Sequence, residues 1–577
     1  MVSLLALLTV AMAGVDSIAG LWAIDTSYGP RVRGELTLER EASAWHARIA
    51  AFDVPAHVAH DSVSVVLPDS QGRFVGHLRA RSRVITGWWV QPPGPVSRVA
   101  YATPATLQRV DAHNWRGRIE PLDERYALYM LVVEDANGSH SATFRVPERN
   151  YLGGQSYARY RITLDGDSMR FVDSSGTYPS FAGVYDVAQH RATLHWPALD
   201  EPVTLTPRLP DQAAGLYPRL PTATPYAYRA PLKADDGWRT APAHDLGMDE
   251  SALAALVQGI ATTDPAPRTA PLIQSLLIAR HGRLVLDEYF FGFDADRLHD
   301  LRSASKTITS VMLGAAIARD HRFDMDSPVY PIFAAKAPFA NPDARKARIR
   351  VADLLTHSTG LACDDNDDAS PGNEDRMYSQ TAQPDWYKYI LDLPVVHDPG
   401  TTYAYCSGGI NVAGGLVRLT SHTWLPEFFA RTVAEPLQIR RWAMNLTPTG
   451  EGYSGGGLYL RPRDLLKLGV AFLNRGVWNG HRLVSADWVR QSTARHITTR
   501  PESADGYGWH CNTLHAPGGR TYEEYEASGN GGQLLIVVPA LDLAVVFTAA
   551  NYNRYPIWRM FREQIVPQQI ITAIDGP

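Results

Sequence analysis

The chain has 577 residues, too many for a single hydrophobic core, and so divides into at least two domains. Its 45% hydrophobic and 20% charged composition is that of an ordinary globular protein, and a net charge of −5 offers no basic surplus for nucleic acid. Three cysteines, Cys363, Cys406 and Cys511, are too few for a disulfide scaffold and lack zinc-ligand spacing; two unpaired buried thiols are expected at 363 and 406, a bridge being the alternative in an exported protein.

Leu4 to Ala13 form an apolar run ending in Ala11-Met12-Ala13-Gly14, the pattern of a secretory signal, although no Lys or Arg precedes it. Residues 1–13 are therefore expected to send the chain to the periplasm or the exterior, a cytoplasmic location being the alternative. No later run is long enough to span a membrane.

From 20 to 207 the sequence reads as an all-β domain. Alternating segments such as Val32 to Leu38, Val84 to Val90 and Tyr157 to Leu164 are separated by turn residues such as Asp165-Gly166. Gly20-Leu21-Trp22 resembles the opening of a lipocalin-like barrel, with a β-sandwich as the alternative. Trp88 and Trp89 are read as packing residues, and the domain is assigned no chemistry.

Prolines then accumulate at 210, 218, 221, 225, 231 and 242, so residues 208–244 are expected to be a linker lying along or between domains. The second domain, 245–577, opens with a helix carrying Leu253, Leu256, Val257 and Ile260 after Asp249. Ile273 to Ala279 and Arg283 to Phe290 form a hairpin, and Gln533 to Val538 with Leu541 to Thr548 form another near the end. Strands at both ends with helical sequence between predict an α/β domain, one antiparallel sheet flanked by helices beside a mostly helical part.

The chemistry is expected at Ser303-Ala304-Ser305-Lys306, directly after the first hairpin. Residues three apart share a helix face, so the Lys306 side chain reaches the Ser303 hydroxyl, and the helix N-terminus favours negative charge developing there. Tyr405-Cys406-Ser407 follows Asp398-Pro399-Gly400 and precedes a helix, and Gly529-Asn530-Gly531-Gly532-Gln533 leads into a late strand.

In that order the three motifs resemble the serine β-lactamase and penicillin-binding-protein family, especially its class C-like branch of esterases, D-amino peptidases and aminohexanoate-oligomer hydrolases. The resemblance covers about Asp245 to Pro567. Where the family has Tyr-x-Asn this chain has Ser407, and where it has Lys-Thr-Gly or His-x-Gly this chain has Asn530-Gly531-Gly532. The resemblance implies that Ser303 attacks a carbonyl, that Lys306 and Tyr405 relay its proton, and that backbone N–H groups of Ser303 and Gln533 hold the oxyanion. Ser407, Asn530 and Gly532 would meet the substrate, with no metal and no cofactor.

The lysine missing at Asn530 argues for an ester or amide without an adjacent carboxylate; β-lactamase or D,D-peptidase activity is the alternative. An inactive binding or sensor protein is the competing class. Gly452-Tyr453-Ser454-Gly455-Gly456 fits a nucleophile-elbow pattern but lacks the preceding strand. Asp364-Asp365-Asn366-Asp367-Asp368 reads as a solvated acidic loop, lacking the glycine and glutamate of a calcium loop, that selects cationic substrates if it borders the site. His357 is assigned a structural hydrogen bond.

Overall fold

The computed structural model describes residues 18–575 apart from 28–31, 42–43, 79–82, 95–97, 124, 136–137, 147–156, 174–175, 177–178, 198–200, 221–222, 266 and 268; the expected signal at 1–13 lies outside the described residues. The N-terminal alternation becomes strand, but in two rings instead of one. Strand Gly20–Ser27 closes an eight-stranded barrel with the seven strands from Arg125–Glu134 to Val203–Pro207. The eight strands from Gly34–Glu41 to Asn114–Ile119 are inserted after its first strand and close on themselves through Gln108↔Arg116 and Arg109↔Trp115. Alternation dictates which side chains face inward but not which strands become partners, so a nested ring leaves no local mark.

Each ring is packed with its own side chains. Phe144, Tyr160, Phe171, Phe181 and Trp196 lie in mutual aromatic contact inside the first. Leu36, Leu38, Phe74, Ile85 and Trp89 fill the second. Successive residues of a strand point to opposite faces, so Trp88 leaves the ring and packs edge-on against Trp424 of the C-terminal domain, with centroids 6.0 Å apart. Burying such a ring contributes about 3 kcal/mol.

Residues 208–244 are laid down on the C-terminal domain. The Trp238 indole donates to the Arg463 carbonyl at 3.0 Å, Asp236 pairs with Arg463 at 2.8 Å, and the Tyr226 hydroxyl donates to Glu288 at 2.7 Å. Helix Glu250–Ala261 follows, its N-terminus capped by Asp249, which accepts from the N–H groups of Ser251 and Ala252.

The C-terminal sheet has eight antiparallel strands. Hairpin Ile273–Arg280 and Arg283–Tyr289 joins Leu543–Ala549, which pairs in turn with Gln533–Val538 and Arg520–Gly529, so both ends of the domain build one sheet. Ile273–Arg280 is an unbroken apolar run because both faces are covered. Leu277 and Ala279 meet the helices on the site's side, while Leu276 and Ile278 meet the terminal helices behind. Among the described residues no helix is long and apolar enough to cross a membrane.

The two parts share a sheet. Strand Ala100–Arg109 of the inserted ring pairs with Ala443–Leu446, which pairs with Leu458–Leu460 and then with His299–Asp300, giving one sheet of eleven strands.

The expectation of two free thiols is corrected: Cys363 and Cys406 are bridged, with Cα atoms 5.4 Å apart, and Cys511 is the free, buried cysteine. Spacing in sequence cannot reveal that the loop after 361 folds back onto the segment before 407. Alkylating the unreduced, denatured protein should therefore label one thiol, and three after reduction. A Cys363→Ala/Cys406→Ala variant releases a loop spanning 43 residues in sequence; its loss in denaturant titration should approach about 4 kcal/mol.

Candidate active site

Leu301 N–H donates to the Leu458 carbonyl at 3.0 Å, fixing the end of strand His299–Asp300. The chain then reverses through Arg302, whose φ of +49° lies in the left-handed region that a long side chain seldom occupies. Arg302 N–H donates to the Asp300 carboxylate at 2.9 Å, holding that conformation. Ser303 comes next, and helix Ser305–Arg319 carries Lys306 one turn on. Such backbone strain costs about 1–3 kcal/mol and collects at functional sites.

Lys306 is 4% exposed, and its Nζ donates to Ser303 Oγ at 2.8 Å and to the Gly455 carbonyl at 2.6 Å. The Tyr405 ring lies 4.9 Å from the same Nζ, near enough for Ser303 and Lys306 both to act on its phenol. Burial pushes the Tyr405 phenol up; Lys306 and Ser303 oppose that push without cancelling it. The three side chains named from the sequence thus form one contiguous network.

Two groups hold Tyr405 in place. His357 Nδ1 accepts the Cys406 N–H at 3.1 Å, and its ring lies 4.6 Å from the Tyr405 ring. Burial drives this imidazole down to about 3, so it stays a neutral acceptor. Asp365 N–H donates to the Tyr405 carbonyl at 2.7 Å, and the Asp365 carboxylate accepts from Ser407 N–H at 2.7 Å and Glu374 N–H at 2.8 Å. Burial, with Glu374 adding to it, pushes this carboxyl up to about 6. The acidic loop is thus not wholly solvated: Asp365 turns inward to anchor the tyrosine, and the disulfide clamps the same two segments together.

Strand Arg520–Gly529 supplies the opposite wall. Its neighbour His510–Ala516 ends at the pair His510↔Glu526, so Ala527, Ser528 and Gly529 run on past it. A Cβ at Gly529 would lie 2.2 Å from the Leu301 carbonyl oxygen, so only glycine lets this strand end reach the Ser303 turn. Ser528 and Asn530 line the cavity. The Asn530 amide is engaged with Asn553, donating to its side chain and accepting its backbone N–H at 2.8 Å.

Three residues expected at the substrate are placed behind this surface. Gly532 sits in the tight turn with φ +97°, and Gln533 is fully buried, donating to the Ala549 carbonyl at 2.6 Å and to Tyr552 at 3.0 Å. Ser407 is also fully buried, at the first turn of helix Ser407–Ser421. The shift has a simple origin: the strand that approaches Ser303 ends at Gly529, three residues before Gly532, and the glycines that follow form its turn. Ser454 is buried against Ile410 and Asn411 of that same helix and does not line the cavity.

The cavity, of about 1630 Å³, is walled by more than the motifs. Asp300, Arg302, Asp365, Glu374 and Asp375 surround the Ser303 side. Asp505 and His510, which bracket the Tyr507-Gly508-Trp509 stretch, pair at 2.7 Å beside the strand end. Val99, Ala100 and Tyr101 of the inserted ring close the far side, and no local pattern in the N-terminal sequence marks them for this role.

Residues 272–556 match the family model described as Beta-lactamase. The chain is 24% identical over 356 residues to the 6-aminohexanoate-dimer hydrolase of Paenarthrobacter ureafaciens, covering 54% of this chain and 86% of that protein. Among solved structures, a family VIII carboxylesterase superposes with a TM-score of 0.41 at 19% identity, covering 55% of this chain and 94% of its own. A D-stereospecific amidohydrolase from Streptomyces sp. does so with a TM-score of 0.39 at 18% identity, covering 51% and 94%.

The Asp505–His510 pair sets a pH dependence. Burial opposes charge on both, yet Asp505 raises the His510 imidazole above its ordinary value, and His510 helps hold the Asp505 carboxyl below its own. A raised histidine stabilises the fold below its unfolded pKa and loses that contribution as pH rises through the folded one. Thermal unfolding of His510→Gln should therefore fall furthest below wild type near pH 6, with the gap shrinking towards pH 9.

Proposed function

We propose that the chain is a serine hydrolase of the β-lactamase and penicillin-binding-protein-like family, cleaving an ester or amide bond through an acyl-enzyme on Ser303. The observation that carries this is the buried Lys306 Nζ, 2.8 Å from Ser303 Oγ, with the Tyr405 ring 4.9 Å from the same Nζ. Because burial keeps the Tyr405 phenol protonated, Lys306 is left to take the first proton. Ser303 Oγ forms a bond to the carbonyl carbon as its proton passes to Lys306. Tyr405 gives its proton to the leaving oxygen or nitrogen and is re-protonated from Lys306. Water then attacks the acyl carbon, and its proton passes through the same pair to Ser303 Oγ as the bond between Oγ and the acyl carbon breaks, releasing the acid and restoring the serine.

The oxyanion meets the backbone N–H of Ser303 and one presented by the strand end that Gly529 brings against the nucleophile turn. The strand end that reaches Ser303 offers Ser528 and Asn530 and no cation, which favours substrates without a carboxylate beside the scissile bond. Glu374 and Asp375 on the Ser303 side favour a substrate that carries an ammonium group.

Intact-mass measurement after brief exposure to p-nitrophenyl butyrate, and separately to an active-site phosphonate, tests the nucleophile. Wild type and Ser454→Ala should carry one adduct and Ser303→Ala none; an adduct missing only from Ser454→Ala would reassign the nucleophile. No adduct on any folded form would leave a binding protein. Lys306→Ala and Tyr405→Phe should each slow ester turnover by about 10²–10⁴-fold.

A further inference from the structure

We propose that Tyr101, a residue of the inserted β-ring some two hundred positions before the nucleophile, is a positioning residue for Ser303. The inference rests on the reading of Ser303 given above. It starts from a continuous path of backbone pairing. Asn445↔Tyr101 joins the ring to strand Ala443–Leu446, Ala443↔Tyr459 joins that strand to Leu458–Leu460, and Asp300↔Tyr459 joins the last to His299–Asp300. Three residues after Asp300 stands the nucleophile.

A side-chain path runs over the same strands. The Tyr101 and Tyr459 rings meet edge-on, with centroids 5.5 Å apart at 87°, and their hydroxyls are 3.4 Å apart. The Tyr459 hydroxyl donates to one Asp300 oxygen at 3.2 Å, while the other accepts the Arg302 N–H at 2.9 Å. The Arg302 guanidinium stands 3.7 Å from Asp300 as well. Tyr101, Tyr459 and Asp300 are 1%, 6% and 7% exposed, so the path runs mostly through packed side chains.

The place where the path ends makes it consequential. Arg302 holds a left-handed backbone that a non-glycine residue avoids, and Asp300 is what its N–H grips. Asp300 keeps its orientation because Tyr459 supports its second oxygen, and Tyr459 keeps its own because Tyr101 packs on its ring and meets its hydroxyl. If Asp300 rotates, Arg302 relaxes and Ser303 Oγ moves off the line between Lys306 and the substrate carbonyl. A displacement near 1 Å is worth about 10²-fold in rate.

Tyr101→Phe tests this, because it retains the ring, its edge contact and the strand pairing. Its single-turnover acylation by p-nitrophenyl butyrate should fall about tenfold, about 1.4 kcal/mol at the transition state, with KM little changed. Tyr459→Phe should fall similarly, and the double variant no further than the worse single, since the two act in series. Trp88→Phe, which loosens the same interdomain contact elsewhere, should lower Tm and leave the rate alone. Hydrogen exchange of segment 299–305 should quicken in Tyr101→Phe, a readout that holds whether or not Ser303 is the nucleophile. Acylation of Tyr101→Phe at the wild-type rate, multiplied effects in the double variant, an equal slowing by Trp88→Phe or unchanged exchange would each overturn the proposal. Should Tyr101→Phe fail to fold, Tyr459→Phe carries the same rate and exchange test.

Discussion

The catalytic half depends on the contact of two main chains, at Leu301 and Gly529. With a Cβ at Gly529 only 2.2 Å from the Leu301 carbonyl oxygen, any other residue would separate the strand end from the Ser303 turn. That contact sets the distance between a nucleophile held by one element and amide donors presented by another. Behind it lie two supports of different kinds. The Gly455 carbonyl takes a hydrogen bond from Lys306, and Asp365 with His357 secures the backbone on either side of Tyr405. Neither support touches a substrate, yet each fixes one member of the pair that must exchange a proton with Ser303.

The second constraint is the shared sheet. Domains joined by a flexible linker meet through side chains and can part; here the ring contributes a strand, and its main-chain bonds to Ala443–Leu446 are part of the fold. Residues 208–244 strengthen the union, since Trp238, Asp236 and Tyr226 tie them to the C-terminal domain. The cavity beside Ser303 is accordingly built by three parts of the chain: the motif-bearing helices, the strand end at Gly529 and the ring residues near Tyr101.

Much of this was legible in the sequence where the signal is local. Ser303 and Lys306 share a helix face by spacing alone, Tyr405 precedes a clear helix, and the two terminal hairpins announce one sheet. Ser407, Gly532 and Gln533 were drawn to the substrate by motif alignment, because glycines that form a turn and glycines that admit a ligand look alike in one dimension. Asp365 looked like one more solvated acid among the four between 364 and 368, and only the fold turns its carboxylate inward. The bridge between Cys363 and Cys406, the nesting of one ring within another and the path from Tyr101 all depend on long-range pairing, which alternation does not encode.

The mixed sheet also changes what a minimal version of this protein would be. Removing residues 20–207 to obtain a compact hydrolase would not expose an ordinary surface. It would bare the backbone donors and acceptors of Ala443–Leu446, an open strand edge between covered elements. Such an edge recruits another strand, and the nearest supply in solution is the same edge of a second truncated copy. The ring thus also acts as a covalently attached edge cap.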